Sequence, residues 1–139
     1  MDLYSRRITG YSMRDNLGRE LVIEALNNSV TNRRPGQGLL VHSDRSSQYA
    51  SFDYQQLLQQ YGFTCSMSRK GDCWVNSPME SFFKTLKMEL VYQRHFKNPG
   101  RSRAGNLRVH RNRFRLHSAL GYETPEEFEK NYDNPRKVA

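Results

Sequence analysis

With 139 residues, the chain is long enough to form one domain that buries roughly two-thirds of its unfolded surface. Its 22 Lys and Arg against 14 Asp and Glu give a net charge of +8 and a pI near 9.8, which favours a polyanionic partner such as nucleic acid over a merely soluble basic surface. Two cysteines eight positions apart fit neither a zinc ribbon nor a redox pair, so we expect reduced thiols. No apolar run is long enough to span a membrane, and we expect a cytoplasmic protein.

The first forty residues alternate between strand-like and helix-like patterns. Arg7 to Met13 roughly alternates with β-favouring residues and predicts a strand. Asp15 to Asn27 carries apolar residues three and four positions apart and predicts an amphipathic helix. A loop is expected from Thr31 to Gln37, before a short buried strand from Leu39 to Ser43.

The same alternation continues in the middle of the chain. Ser51 predicts a helix N-cap and Gly62 the end of that helix, and Phe63 to Met67 predicts another strand. Strands that alternate with helices indicate an α/β layer structure.

Two later helices are predicted from the same short pattern. Ser77-Pro78 places a cap before a proline at the first helical position, so a helix is expected from there to about Gln93. Thr124-Pro125 repeats that pattern. Residues 97–113 lie between these helices, are rich in arginine and show neither helical nor strand periodicity.

Two carboxylates stand where a metal site could form. Asp44 follows a predicted buried strand, and Glu80 lies 36 positions later in the first turn of a predicted helix. Mg²⁺ prefers oxygen ligands and usually takes one or two carboxylates, so such a pair could hold it. Lys84 and Lys87 share the helix face of Glu80 and suit DNA phosphates. On spacing alone, a Glu–Lys pair on a solvated face is the favoured interpretation.

Three longer segments resemble one protein family. The resemblance is to the integrase-core transposases of bacterial insertion sequences, and it lies in "HSDRSSQYAS", "SMSRKGDCWVNSPMESFFKTLKMELVY" and "HSALGYETPEEFE". In particular, the chain resembles the family whose protein is translated from two overlapping reading frames, and it matches the catalytic part that the second frame encodes. These are relatives of retroviral integrases. The resemblance implies a ribonuclease-H-like α/β fold and an Asp–Asp–Glu site that binds two Mg²⁺ or Mn²⁺ ions. It also implies nicking of DNA at the element ends and joining of the freed 3′-hydroxyl to target DNA.

The resemblance assigns roles residue by residue. Asp44 matches the second aspartate of the site and Glu80 its glutamate, so both are expected to be catalytic metal ligands. The expected partners are DNA and either further copies of the chain or a full-length transposase, with no membrane. The resemblance also implies DNA-contacting residues (Arg69, Lys70, Lys84 and Lys87). Four further residues could neighbour the metal site (His42, Gln48, Tyr49 and Asn76). For His42, a satisfied polar residue at the strand end is the favoured interpretation.

The family's first aspartate has no match in the chain. It lies on a preceding strand, whereas Asp2 matches the aspartate of a later segment. We therefore expect an incomplete ribonuclease-H-like core that lacks its first strand, binds metal weakly and neither nicks nor joins DNA by itself. In this interpretation residues 1–96 are the partial core, 97–113 an arginine-rich segment, and 114–139 the C-terminal tail of the transposase core.

The arginine-rich segment has two explanations. In the family this region is an amphipathic helix, and an adjacent reading frame over residues 99–113 can encode one, so two compensating frame changes would explain the sequence. The alternative is a genuine basic arm that binds DNA. Two other functions also stay open for the whole chain, namely a non-catalytic DNA-binding or regulatory module and the product of a decayed gene.

Overall fold

The computed structural model describes residues 1–68, 77–88 and 110–133. The chain separates into a central unit, Thr9–Gln93, and a terminal unit that joins Met1–Ile8 to Arg94–Ala139. Helices combined with a parallel sheet confirm the mixed α/β class. In chain order the elements are α1 (Arg19–Arg33), β1 (Leu40–Ser43), α2 (Phe52–Gln60), β2 (Thr64–Met67), α3 (Ser77–Leu86), a 3₁₀ helix (Ser118–Leu120) and α4 (Pro125–Asp133).

The sheet of the central unit consists of β1 and β2, which pair in parallel from Leu40 opposite Thr64 to Ser43 opposite Met67. Parallel pairing requires a crossover, and α2 provides it. Gly62 ends this crossover with a φ of +68°, a left-handed conformation that glycine adopts without steric cost. Its carbonyl accepts a hydrogen bond from the Gly38 N–H at 2.8 Å, which brings the two strand starts together.

The buried core of the central unit lies between α1, α2 and the start of β2. Tyr54 and Leu58 are four positions apart on one face of α2, and both are buried with Val22 of α1 and with Phe63. Partly buried residues surround this cluster: Ile23, Leu26, Val30, Val41, Tyr49, Tyr61 and Cys65. The core therefore packs one face of α2 directly behind the strand that carries Asp44.

The predicted strand from Arg7 to Met13 is wrong. No described strand pairs with this segment, and side chains of α1 bind two of its carbonyls instead. The Asn32 amide donates to the Thr9 carbonyl at 2.9 Å, and the Asn28 amide donates to the Tyr11 carbonyl at 3.0 Å. Alternating β-favouring residues predict an extended backbone, and they do not show what that backbone lies against.

The predicted boundaries of the first helix are also wrong. α1 begins at Arg19 after Gly18, which has an extended backbone, rather than near residue 15. It also continues to Arg33, through the first three residues of the segment expected to form a loop. The helix ends where Arg34 adopts a left-handed φ of 46° and its N–H donates to the Val30 carbonyl, directly before Pro35.

The terminal unit is held together by polar contacts between its distant ends. Ser5 is completely buried and its hydroxyl donates to the Glu129 carboxylate at 2.7 Å, and Arg7 forms an ion pair with the same carboxylate. The Asn112 side chain accepts from the Ile8 N–H at 2.9 Å and donates to the Ile8 carbonyl at 3.1 Å. Asn112 thereby gives this backbone the two hydrogen bonds that a neighbouring strand would give it.

α4 begins with the cap that the sequence predicts. The Thr124 hydroxyl accepts the Glu127 N–H at 3.2 Å and donates to the Glu127 carboxylate at 2.7 Å, and this carboxylate also accepts the Thr124 N–H at 3.1 Å. This reciprocal arrangement satisfies two backbone donors that the helix itself leaves without partners.

Replacing Thr124 by alanine is expected to lower the free energy of unfolding by about 1–2 kcal/mol, because the cap oxygen is lost. Urea unfolding followed by circular dichroism measures this change. Thr124→Ser retains the oxygen and is the matched control, so equal losses in both variants would contradict the capping explanation.

Candidate active site

Asp44 lies immediately after β1 and is exposed. Its Oδ1 accepts a hydrogen bond from the Ser46 N–H at 2.9 Å, which holds the carboxylate at the end of the strand. The carboxyl ends of parallel strands are where α/β proteins usually place ligands. Asp44 is therefore accessible to an ion or substrate at this edge of the sheet.

Tyr49 lies within electrostatic reach of Asp44. Burial of the half-buried side chain, and then the negative charge of Asp44, raise the pKa of the Tyr49 hydroxyl. The ring packs edge-on against Tyr54 with centroids 5.4 Å apart, and the Tyr49 carbonyl accepts the Gln55 amide at 2.8 Å. The Tyr49 ring and backbone are thus held by contacts with α2, and its hydroxyl lies within electrostatic reach of the exposed carboxylate.

Gln48, the residue before Tyr49, contacts a different segment. Its side-chain amide donates to the Leu17 carbonyl at 3.0 Å. This hydrogen bond ties the turn after Asp44 to the approach of α1, so the contact supports the loop.

His42 bridges the two strands. Its Nδ1 lies 3.1 Å from the hydroxyl of Ser66, its register partner on β2. Its Nε2 is buried and has no hydrogen-bond partner within the described ranges. Sequence reasoning does not find Ser66, because the pair depends on the register between two parallel strands.

Glu80 is exposed in the first turn of α3, where the partial positive charge of a helix N-terminus favours a carboxylate. Lys84 and Lys87 are exposed as well, whereas Phe82 is buried. Phe83, the next residue, is half exposed. Neighbouring residues on a helix point about 100° apart, so one buried face does not accommodate both rings.

Asp44 and Glu80 are therefore both exposed carboxylates, on separate elements of the central unit. Their pairing around one ion stays a prediction. Within residues 1–68, 77–88 and 110–133, no group of three or more His, Cys, Asp or Glu side chains could hold a metal ion. Three of the predicted site residues, Arg69, Lys70 and Asn76, lie outside the described residues.

The donor set nevertheless has the chemistry that Mg²⁺ and Mn²⁺ prefer. Both candidates are carboxylates, which are hard oxygen ligands, and both are accessible.

No helix in the described ranges has the length and apolar character of a membrane span.

Comparisons with known proteins point to one family. Two models of the integrase core domain match the chain, one over residues 1–73 and the other over residues 61–125. The transposase for insertion sequence element IS904 of Lactococcus lactis subsp. lactis is 41% identical over 135 residues, which cover 94% of this chain and 53% of that relative.

Two further relatives show the same extent of similarity. The insertion element IS600 uncharacterized 31 kDa protein of Shigella sonnei is 40% identical over 134 residues, covering 94% of this chain and 49% of its own length. Transposase InsF for insertion sequence IS3A of Escherichia coli is 38% identical over 132 residues, which cover 93% of this chain and 46% of that relative. The chain thus spans about half the length of the curated relatives it matches.

Proposed function

Because the chain belongs to the integrase-core family of insertion-sequence transposases, we propose that it is part of a divalent-metal-dependent DNA transposase core. The reaction is cleavage of DNA at the element ends and transfer of the freed 3′-hydroxyl to a target phosphate. The observation that carries this proposal is the exposed Asp44 carboxylate at the carboxyl end of β1. Family membership also implies a ribonuclease-H-like fold, and the parallel β1–α2–β2 unit is compatible with part of it.

Asp44 and Glu80 are the proposed metal ligands. Mg²⁺ or Mn²⁺ held there would activate the attacking oxygen and stabilise the leaving oxygen at phosphorus. The Ser46 N–H orients Asp44 through its 2.9 Å hydrogen bond. The Tyr49 hydroxyl, whose pKa is raised by burial and then by the charge of Asp44, is the proposed hydrogen-bond donor near the carboxylate.

α3 supplies the proposed DNA contacts of the central unit. Lys84 and Lys87 follow Glu80 by four and seven positions, and all three side chains are exposed. A helix with this arrangement holds a metal ligand at its positive end and presents ammonium groups to DNA phosphates along its length. The lysines position the DNA and carry no sequence information of their own.

The proposed site is incomplete within these 139 residues. Asp44 and Glu80 are the two carboxylates assigned here, and no residue of this sequence is assigned to the third carboxylate of the family pattern. Two carboxylates without a third ligand bind the metal weakly and repel each other when it is absent. We therefore propose that this chain by itself does not cleave DNA.

A paramagnetic titration tests whether Asp44 and Glu80 share one ion. Added Mn²⁺ is expected to broaden the NMR signals near both residues together, with a dissociation constant on the order of 1 mM, typical of a weakly liganded site. Asp44→Asn and Glu80→Gln should each abolish the broadening at both positions, because the ion needs both ligands.

Asp53→Asn is the matched control, since this carboxylate is also partly exposed and is already paired with Arg19 at 3.1 Å. It should leave the titration unchanged. Independent responses at Asp44 and Glu80, each insensitive to the other substitution, would show that the two carboxylates do not form one site.

A non-catalytic DNA-binding module is the second candidate. The net charge of +8 and the exposed side chains of Lys84 and Lys87 favour DNA binding. Such a module would act with a full-length transposase or with further copies of the chain. It predicts DNA affinity that Asp44→Asn and Glu80→Gln leave unchanged.

A further inference from the structure

A group of three aromatic rings lies in the terminal unit. The ring of Tyr4 contacts two rings of α4, with its centroid 5.3 Å from that of Phe128 and 5.5 Å from that of Tyr132. Phe128 and Tyr132 are four positions apart and therefore share one face of the helix. We call these three residues the aromatic cluster. Its members come from opposite ends of the sequence, so only the fold brings them together.

Two of the three rings are open to solvent. Tyr4 exposes 59% of its surface and Tyr132 exposes 68%, and the neighbouring Leu3 exposes 54%. The Tyr4 ring meets the other two at 59° and 74°, so the rings of the cluster do not stack face to face on one another. Both tyrosines therefore keep ring surface that a further flat group could cover.

Tyr4 is held in place by contacts on both sides of it in the sequence. Its N–H donates to the Asp2 carboxylate at 2.8 Å. The hydroxyl of the completely buried Ser5 donates to the Glu129 carboxylate of α4 at 2.7 Å. This buried contact fixes the N-terminal segment against the helix that carries the other two rings. The aromatic cluster is therefore preorganised, which lowers the entropy that a ligand loses on binding.

The terminal unit also carries most of the net positive charge of the chain. Of the 22 Lys and Arg of the sequence, 13 belong to this unit, against 6 of the 14 Asp and Glu, so its net charge is +7 of the total of +8. Copies of such a unit repel one another, whereas a polyanion is attracted to it. The charge therefore favours nucleic acid over a second copy of this chain as the ligand of the aromatic cluster.

An aromatic ring recognises the flat face of a base and not the phosphate. Stacking of a base on an aromatic side chain tolerates any sequence, because every base has a π face. Bases inside a duplex are stacked on one another, so a base must leave the duplex before a protein ring can cover it. Exposed rings in a basic unit therefore suit single-stranded or unpaired DNA.

We propose that Tyr4 and Tyr132 stack on unpaired bases of single-stranded DNA, with Phe128 supporting the ring of Tyr4. DNA as the ligand rests on the proposed function, in which DNA is cut at the element ends. The site belongs to the terminal unit and uses none of the residues assigned above to metal or DNA binding.

Binding of a short single strand, measured by fluorescence anisotropy in EDTA, tests the proposal on the full chain. Tyr132→Ala is expected to lower the affinity about tenfold, because the stacking of one base is lost. The slope of log K against log salt should stay the same, because no charge is removed. Tyr132→Phe retains the ring and should bind as the unsubstituted chain does.

Tyr122→Ala is the matched control. Tyr122 belongs to the same unit and exposes 71% of its surface, but it lies outside the aromatic cluster. Its replacement should leave the affinity nearly unchanged. An equal loss for Tyr122→Ala and Tyr132→Ala would show that the cluster has no special part in binding.

The unmodified chain offers a second measurement that requires no variant to fold. The NMR signals of the Tyr4 and Tyr132 ring protons are expected to shift when a short oligodeoxyadenylate is added, because a stacked adenine lies directly over the ring. An abasic strand of the same length retains the phosphates and lacks the bases, so it should leave these signals in place. Equal shifts with both strands would show that the rings do not respond to bases.

Equal affinities for Tyr132→Ala and Tyr132→Phe, or ring signals that oligodeoxyadenylate does not shift, would also contradict base stacking. Sedimentation provides the remaining comparison: self-association of the chain that Tyr132→Ala abolishes, with an unchanged DNA affinity, would assign the cluster to a protein interface instead. None of these measurements involves divalent metal, Asp44 or Glu80. A failure here therefore leaves the proposed catalytic function untouched, and a failure of that function leaves this result standing.

Discussion

Joining the 139 residues to the part of the Lactococcus lactis relative that they do not match is expected to produce a protein that cleaves DNA with Mg²⁺ or Mn²⁺. The 139 residues alone are expected to leave the same DNA intact. The reason is the number of ligands, because the site proposed above has Asp44 and Glu80 and needs a third carboxylate, and the chain spans about half of that relative. Nicking of supercoiled plasmid, followed on agarose gels, measures the difference.

Within this chimera, Asp44→Asn and Glu80→Gln are each expected to lower the cleavage rate at least roughly a hundredfold. A metal clamp contributes several kcal/mol at the transition state, and about 1.4 kcal/mol corresponds to a factor of ten. Asp53→Asn should change the rate by less than about twofold, since it removes only a partly exposed ion pair with Arg19.

Two outcomes would contradict this account in different ways. Metal-dependent nicking by the 139 residues alone, abolished by Glu80→Gln, would show that two carboxylates suffice and that the site is not incomplete. Cleavage by the chimera that survives Asp44→Asn would show that Asp44 is not a metal ligand.

Gly10→Ala is expected to lower the free energy of unfolding by about 3 kcal/mol, the upper part of the range for overpacking. A Cβ atom at residue 10 would lie 2.7 Å from the Ala25 carbonyl oxygen and still closer to the Ser29 backbone nitrogen. Both of these are backbone atoms of α1, which cannot rotate away as a side chain can. The extended segment before α1 would therefore have to move off the helix.

Gly36→Ala is the control, because a Cβ atom there would meet no other atom within 4 Å. It should be neutral or stabilise the chain by about 0.5 kcal/mol, through the loss of unfolded-state freedom. Denaturant unfolding of both variants provides the comparison. If Gly10→Ala unfolds at the same denaturant concentration as the unsubstituted chain, the segment does not pack closely on α1.

Local signals in the sequence predicted several helix ends correctly. Thr124-Pro125 and Ser77-Pro78 stand at the starts of α4 and α3, and Gly62 follows the end of α2. These positions depend on the backbone freedom of one residue or on a side chain that reaches the next turn. Both are properties of a few consecutive residues, so no tertiary contact is needed to identify them.

Such local signals did not predict the contacts between residues that are distant in the sequence. The segment around Gly10 has the composition of a strand but lies along α1, where Asn28 and Asn32 take the place of a neighbouring strand. In the terminal unit, the Asn112 side chain likewise forms the hydrogen bonds to the Ile8 backbone that a neighbouring strand would form. A side-chain amide that replaces a strand leaves no periodic pattern, so local reasoning predicts the extended backbone and misses its partner.

For the proposed active site, the sequence by itself determined the family, the identity of Asp44 and Glu80 and their spacing along the chain. These depend only on residue types at given positions. The tertiary structure alone decided that both carboxylates are exposed and that Tyr49 lies within electrostatic reach of Asp44. Exposure and the approach of distant charges follow from how the elements pack, because the electrostatic energy of a group depends on distance and burial rather than on its position along the chain.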